Sequence, residues 1–228
     1  MMKHVLLFGF LLLNLTVYGQ IELRGNLGDV YYSPDLYKTK YNSPAGSPYL
    51  NENFTPVKIN DISETKLVRF DAFEDRVEIM VDKNKVVILP DTELYTITLL
   101  DGSDTLFETK NYDDENGNPK MSFFELIAKK ENYKLYLKEK VEFSKAVKAQ
   151  GYQASKPAMF TKQKGTYYIT DFKGKSNQLL RIPFKVRNFL DLFSNQSKSI
   201  KKFIKDHKLK IDNGDDLVEI FDFYFGKP

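Results

Sequence analysis

Between residues 66 and 182 the chain repeats one pattern: a short β-branched or aromatic run, then a turn. Val77, Ile79 and Val81 alternate strictly with their neighbours, which places every second side chain on one face of a strand. Comparable runs occupy 67–70, 85–89, 94–100, 105–109, 122–128, 133–138, 158–161, 166–170 and 179–182. Residues 82–85 and 101–104 read as tight hairpin connections. Short strands at such spacing suggest an antiparallel sandwich, barrel or curved sheet. No helical pattern lies between them, which disfavours a parallel α/β fold. Residues 139–150 fit neither period, and 111–118 read as an acidic Asn/Gly loop.

After Pro183 the period becomes helical. Val186, Phe189, Leu190 and Phe193 share one face. Asn195 or Ser197 can cap a second helix, with Ile200, Phe203, Ile204 and His207 on one side. The acidic stretch 212–216 opens a third, whose buried stripe is Leu217, Ile220, Phe221 and Tyr224. The expected class is α+β: mainly an antiparallel β-meander with a C-terminal cap of about three short helices. The expected divisions are 1–19, 20–60, 61–182 and 183–228.

The first of these reads as a secretory signal. Lys3 precedes an apolar run at 5–13, and Val17 and Gly19 fit the −3 and −1 positions of a cleavage before Gln20. The run is about half of the roughly 20 residues needed to span a bilayer. Residues 20–60 follow as an extended arm rich in Tyr, Asn, Ser, Pro and Gly. Pro34, Pro44 and Pro48 exclude a helix there and limit sheet pairing. The arm's tyrosines either pack along the domain or offer a stacking surface to a sugar or partner. Tyr31, Tyr32, Tyr37, Tyr41 and Tyr49 are the candidate contacts.

The chain has no cysteine, which excludes disulfides, a lipid-anchoring thiol, thiolate nucleophiles and Cys-based zinc sites. The 34 Lys and Arg nearly balance the 31 Asp and Glu, leaving no field to steer nucleic acid. His207 is the one histidine beyond the signal, too few for a His-based metal site or a triad. It reads as a structural residue. Asp71, Glu74 and Asp75 cluster between two strands, where a solvated acidic turn competes with a carboxylate pair for glycoside hydrolysis. Residues 113–118 imitate a calcium loop without its spacing. Lys198, Lys201, Lys202, Lys205 and Lys208 line one helix face, either solvated or touching an anionic surface. Glycosylation triplets at Asn53 and Asn195 are too short to carry weight. No phosphate loop, nucleophile elbow or zinc-protease motif is present, and no cofactor is expected.

The residues Gly46, Ser47, Pro48, Tyr49 and Leu50, the stretch from Val68 to Asp75, and the helix set from Phe189 to Tyr224 together resemble a family of uncharacterised exported proteins of Bacteroidota. The resemblance covers most of the mature chain. It implies a periplasmic setting, with the cell surface or secretion as alternatives, and transfers no catalytic residue. The function expected is a non-enzymatic envelope protein, structural or binding a protein, glycan or apolar ligand. The alternative is a hydrolase of envelope glycans acting through Asp71 and Glu74.

Overall fold

The computed structural model describes residues 32–60, 64–90, 93–152, 154–170 and 179–226. The expected signal segment with Gly19 and Gln20, and Tyr31 of the arm, lie outside the described residues.

The described part is mostly β, with helices gathered at the C-terminal end. In chain order the strands are β1 (Thr55–Ile59), β2 (Lys66–Asp71), β3 (Arg76–Asp82), β4 (Lys85–Leu89), β5 (Thr96–Leu99) and β6 (Leu106–Asp113). They continue with β7 (Pro119–Lys129), β8 (Lys134–Lys138), β9 (Val141–Ser144), β10 (Met159–Lys162), β11 (Thr166–Thr170) and β12 (Leu179–Arg181). Ten of these form one sheet, in the order β12, β11, β8, β7, β6, β5, β1, β2, β3, β4. Neighbours are antiparallel throughout. One further pairing, parallel, joins β12 to β6 at Leu179 and Tyr112. It closes β6, β7, β8, β11 and β12 into a five-stranded barrel, with the remaining strands as an extension. Of the expected architectures, the barrel is the one found.

Each barrel strand contributes one residue to an interior cluster: Tyr112, Phe124, Tyr136, Tyr168 and Leu179. The rings meet edge to face, at 5.1 Å for Phe124 and Tyr168 and 5.2 Å for Tyr112 and Phe124. A second core, around Val57, Ile59, Val77, Leu89 and Ile97, fills one side of the extension. A third lies between the barrel and the helices.

Sheet and arm depart from the expected boundaries in four places. The sheet begins at β1, inside the expected arm, and β1 lies between β5 and β2. The arm also holds a helix, α1 (Leu36–Lys40), which the proline count had excluded. It fits because it runs between Pro34 and Pro44, so no pyrrolidine ring falls within it. β6 and β7 extend into the acidic loop and leave only 114–118 as the connection. There the Asp114 carboxylate accepts from the N–H groups of Asn116 and Asn118, both at 2.9 Å, and this holds it down to about 2. The ambiguous stretch 139–150 contains β9, which pairs with β10 outside the main sheet.

The cap consists of α2 (Val186–Leu190), a 3-10 stretch at Asp191–Gln196, α3 (Ser197–His207) and α4 (Gly214–Phe225). Phe189 and Phe193 are buried as expected, whereas Val186 is exposed. Neither Asn195 nor Ser197 caps α3. Gln196 holds that position, and Ser197, already helical, directs its hydroxyl at the carbonyls of Leu190 and Ser194. Asn213 does cap α4, accepting from the Asp216 N–H at 3.0 Å. No helix among the described residues is long and apolar enough to cross a membrane.

Candidate functional site

In the acidic cluster at the β2–β3 connection, Glu74 and Asp75 are exposed turn residues as expected, but Asp71 is buried. Asp71 ends β2 with its side chain fully enclosed. One carboxylate oxygen accepts from the N–H groups of Phe73 at 3.1 Å and Glu74 at 3.0 Å. The other accepts from the Tyr37 hydroxyl and from Arg76 Nε, the latter at 3.1 Å. Four donors occupy it, so Asp71 has no free lone pair to offer a substrate. Glu74 is exposed and does not line the small cavity that Asp71 borders.

The network continues inward as alternating charges. Arg76 reaches Glu78 at 3.3 Å, and Glu78 accepts from Arg69 Nη2 at 2.6 Å. Arg69 also donates to the Tyr49 hydroxyl at 2.8 Å and to the Pro34 carbonyl at 3.1 Å. Its guanidinium packs over the Tyr49 ring, 3.5 Å from the centroid. Burial pushes the Glu78 carboxyl above its ordinary range, against the opposing pull of Arg69. It likewise raises the Tyr37 and Tyr49 phenols, with Asp71 adding to Tyr37.

Tyr37, Tyr41 and Tyr49 of the arm therefore pack inward. Tyr37 is buried, and Tyr41 and Tyr49 join it with Phe73, Val141, Phe143 and Phe160 in one cluster. Tyr32 exchanges both backbone hydrogen bonds with Val86 at the open edge of β4. Gly46, at φ +73°, lies so close to the Phe160 carbonyl that an added Cβ would sit 2.2 Å from its oxygen. A cleft of about 300 Å³ remains beside the arm, yet the hydroxyls of Tyr37 and Tyr49 are turned to Asp71 and Arg69.

A second cleft, of about 280 Å³, opens at one end of the barrel. Tyr112 and Tyr168 of the interior cluster line it together with Lys138, Thr166 and Asn116. Lys138 enters from β8. Its ammonium contacts Ser122 on β7 and Asp75 of the β2–β3 turn, the latter at 2.5 Å. Ser122 also donates to Asp75 at 2.6 Å. The ammonium lies 5.4 Å from the Tyr112 ring centroid and 5.3 Å from that of Phe124. Burial lowers the Lys138 amine below its ordinary value, while Asp75 opposes the shift.

Every charge in this cleft already has a partner. Asp75 holds Lys138, Asp114 holds Lys120, Glu115 holds Arg181, Glu139 holds Lys162 and Lys140 holds Glu142. The phenols of Tyr112 and Tyr168 differ: among the described residues neither has a hydrogen-bond partner. Burial raises both.

The remaining candidates stay apart from it. His207 is half exposed, lies tilted against the Phe203 ring at 4.3 Å and faces Glu219 at 3.4 Å. Lys198, Lys201, Lys202 and Lys205 of α3, and Lys208 just beyond it, are exposed, and Lys202 pairs with Asp206. No metal-holding group of His, Asp and Glu occurs among the described residues. Comparison with protein-family models, curated proteins and solved structures gives no match.

Proposed function

We propose that this chain is an exported, non-enzymatic binding protein whose barrel-end cleft takes a neutral, hydroxyl-rich ring such as a sugar. The observation that carries this reading is the contrast inside the cleft. Its charges are neutralised by their partners, while the hydroxyls of two tyrosines that line it have no hydrogen-bond partner among the described residues. A charged ligand would have to break an ion pair to be matched. A neutral polyol can bond to these phenols, donate to the carboxylates and accept from the ammonium groups without breaking an ion pair.

Calorimetric titration with maltose, cellobiose and N-acetylglucosamine tests it. At least one should bind, and Tyr112→Phe and Tyr168→Phe should each weaken that binding by about threefold to tenfold, the effect of one net hydrogen bond. Unchanged affinity in both variants, or tighter binding of glucose 6-phosphate than of glucose, would overturn the reading.

Export rests on the basic start, the short apolar run and the small residues before Gln20. Intact-mass analysis of the protein purified from its native host should give a chain beginning at Gln20. A product that keeps Met1 would overturn the export reading.

A further inference from the structure

We infer that the hairpin formed by β9 and β10 is a finger that docks the protein on the anionic headgroup layer of a lipid bilayer. Its base is buried and its outer part is bare. At the base, Val141 and Phe160 are buried with Phe143 beside them in the arm's aromatic cluster. Ala45 of the arm exchanges backbone bonds with this base, donating to the Ala158 carbonyl at 2.9 Å and accepting from the Phe160 N–H at 2.8 Å. Beyond it, residues 144–152 and 154–157 are all exposed.

The bare part is nonetheless regular. Val147 and Lys156 exchange both backbone bonds, at 2.8 and 2.9 Å, and Gly151 turns the chain at φ +58°. A two-stranded hairpin is marginal in water by itself, so the anchored base supports this one. A supported projection with neither face covered is suited to meeting something outside the molecule.

Its chemistry says what. Between Phe143 and Phe160 the sequence has no acidic residue, while Lys145, Lys148 and Lys156 are basic. None of the three has an ion-pair partner among the described residues. Tyr152 is fully exposed, Val147 is 44% exposed, and Ala146, Ala149 and Ala154 accompany them. An acidic polymer would engage the lysines and leave Tyr152 and Val147 in water. A bilayer interface satisfies both, since tyrosine rings settle at headgroup depth and lysines attract anionic lipid.

Co-sedimentation of the full chain with vesicles tests this. Vesicles of phosphatidylglycerol and phosphatidylethanolamine should bind it, and pure phosphatidylcholine vesicles should bind far less. The triple variant Lys145→Gln, Lys148→Gln, Lys156→Gln should lose on the order of a hundredfold in partition, at roughly fivefold per lysine. Tyr152→Ser should weaken the binding that survives at raised salt, where charge attraction is screened. These side chains are exposed, so the variants should unfold thermally as the parent does. A third variant, Lys198→Gln, Lys201→Gln, Lys205→Gln on α3, should bind as the parent does. Equal binding to neutral and anionic vesicles would overturn the inference. So would loss of binding in the α3 variant alone, or retention on an acidic polysaccharide resin without vesicle binding.

Discussion

Replacing Asp71 by alanine is expected to destabilise the fold by about 3–5 kcal/mol, the range for breaking a buried ion pair from one side. The substitution removes the acceptor of the Tyr37 hydroxyl, of Arg76 Nε and of two backbone N–H groups. Each donor left unpaired in a buried site costs about 1–3 kcal/mol, and the Arg76 charge loses one of its two carboxylates. The damage should spread to the arm, because Tyr37 lies at the centre of the cluster that joins α1 to β9 and β10. Asp71→Asn should recover part of the loss, since its amide oxygen can still accept from Phe73 and Glu74. Glu74→Ala, at an exposed position, should stay within about 0.5 kcal/mol of the parent. Urea unfolding at neutral pH reads all three. The same series separates a structural Asp71 from a catalytic one. If Asp71→Ala kept full stability and instead abolished a glycosidase activity, the hydrolase alternative would displace the proposed binding function.

The strand pattern was legible because period two survives wherever one face of a strand is buried. β2, β3, β4 and β11 lie close to where alternation or apolar runs put them. What alternation could not show is closure. In β8 the polar parity holds Lys134, Tyr136 and Lys138, which in an open sheet would face water. The parallel pairing of β12 with β6 turns that face into the barrel interior. Tyr136 becomes fully buried and Lys138 contacts Ser122 and Asp75, the latter 63 positions away in sequence. A pairing at that separation leaves no local trace. The clue available was aromatic: Tyr112, Phe124, Tyr136 and Tyr168 recur on successive strands. Residues 139–150 hid β9 because only its base is covered, so most of that stretch has no inner face to betray a period. The Asp71 environment was hidden for a related reason. Acidic residues at a strand end suit a solvated turn, and only the arm folding back over β2 makes this one buried.

Phe221→Ala should be the most damaging change in the cap, at about 3–5 kcal/mol for removing a buried phenylalanine. Phe221 on α4 is fully buried. It lies 5.5 Å from the Tyr133 ring beside β8, 6.1 Å from Phe189 of α2 and 5.6 Å from Phe193 of the 3-10 stretch. A cavity there therefore faces the barrel and two parts of the cap at once. Polar contacts hold α4 in place: the Tyr133 hydroxyl donates to Asp222 at 2.8 Å, and Lys130 pairs with the same carboxylate at 2.9 Å. They limit how far α4 can move to fill the space, which favours the upper part of the range. Limited proteolysis should show cuts within α3 and α4 before the strands are attacked, since the cap has its own cluster and the extension has another. Val218→Ala, one turn away and only partly buried, should cost clearly less. The double variant of Asp71 and Phe221 settles whether the two ends of the molecule are independent. Their clusters share no residue, so the two losses should add to within about 0.5 kcal/mol. A coupling well above that would mean that the barrel transmits strain from cap to arm.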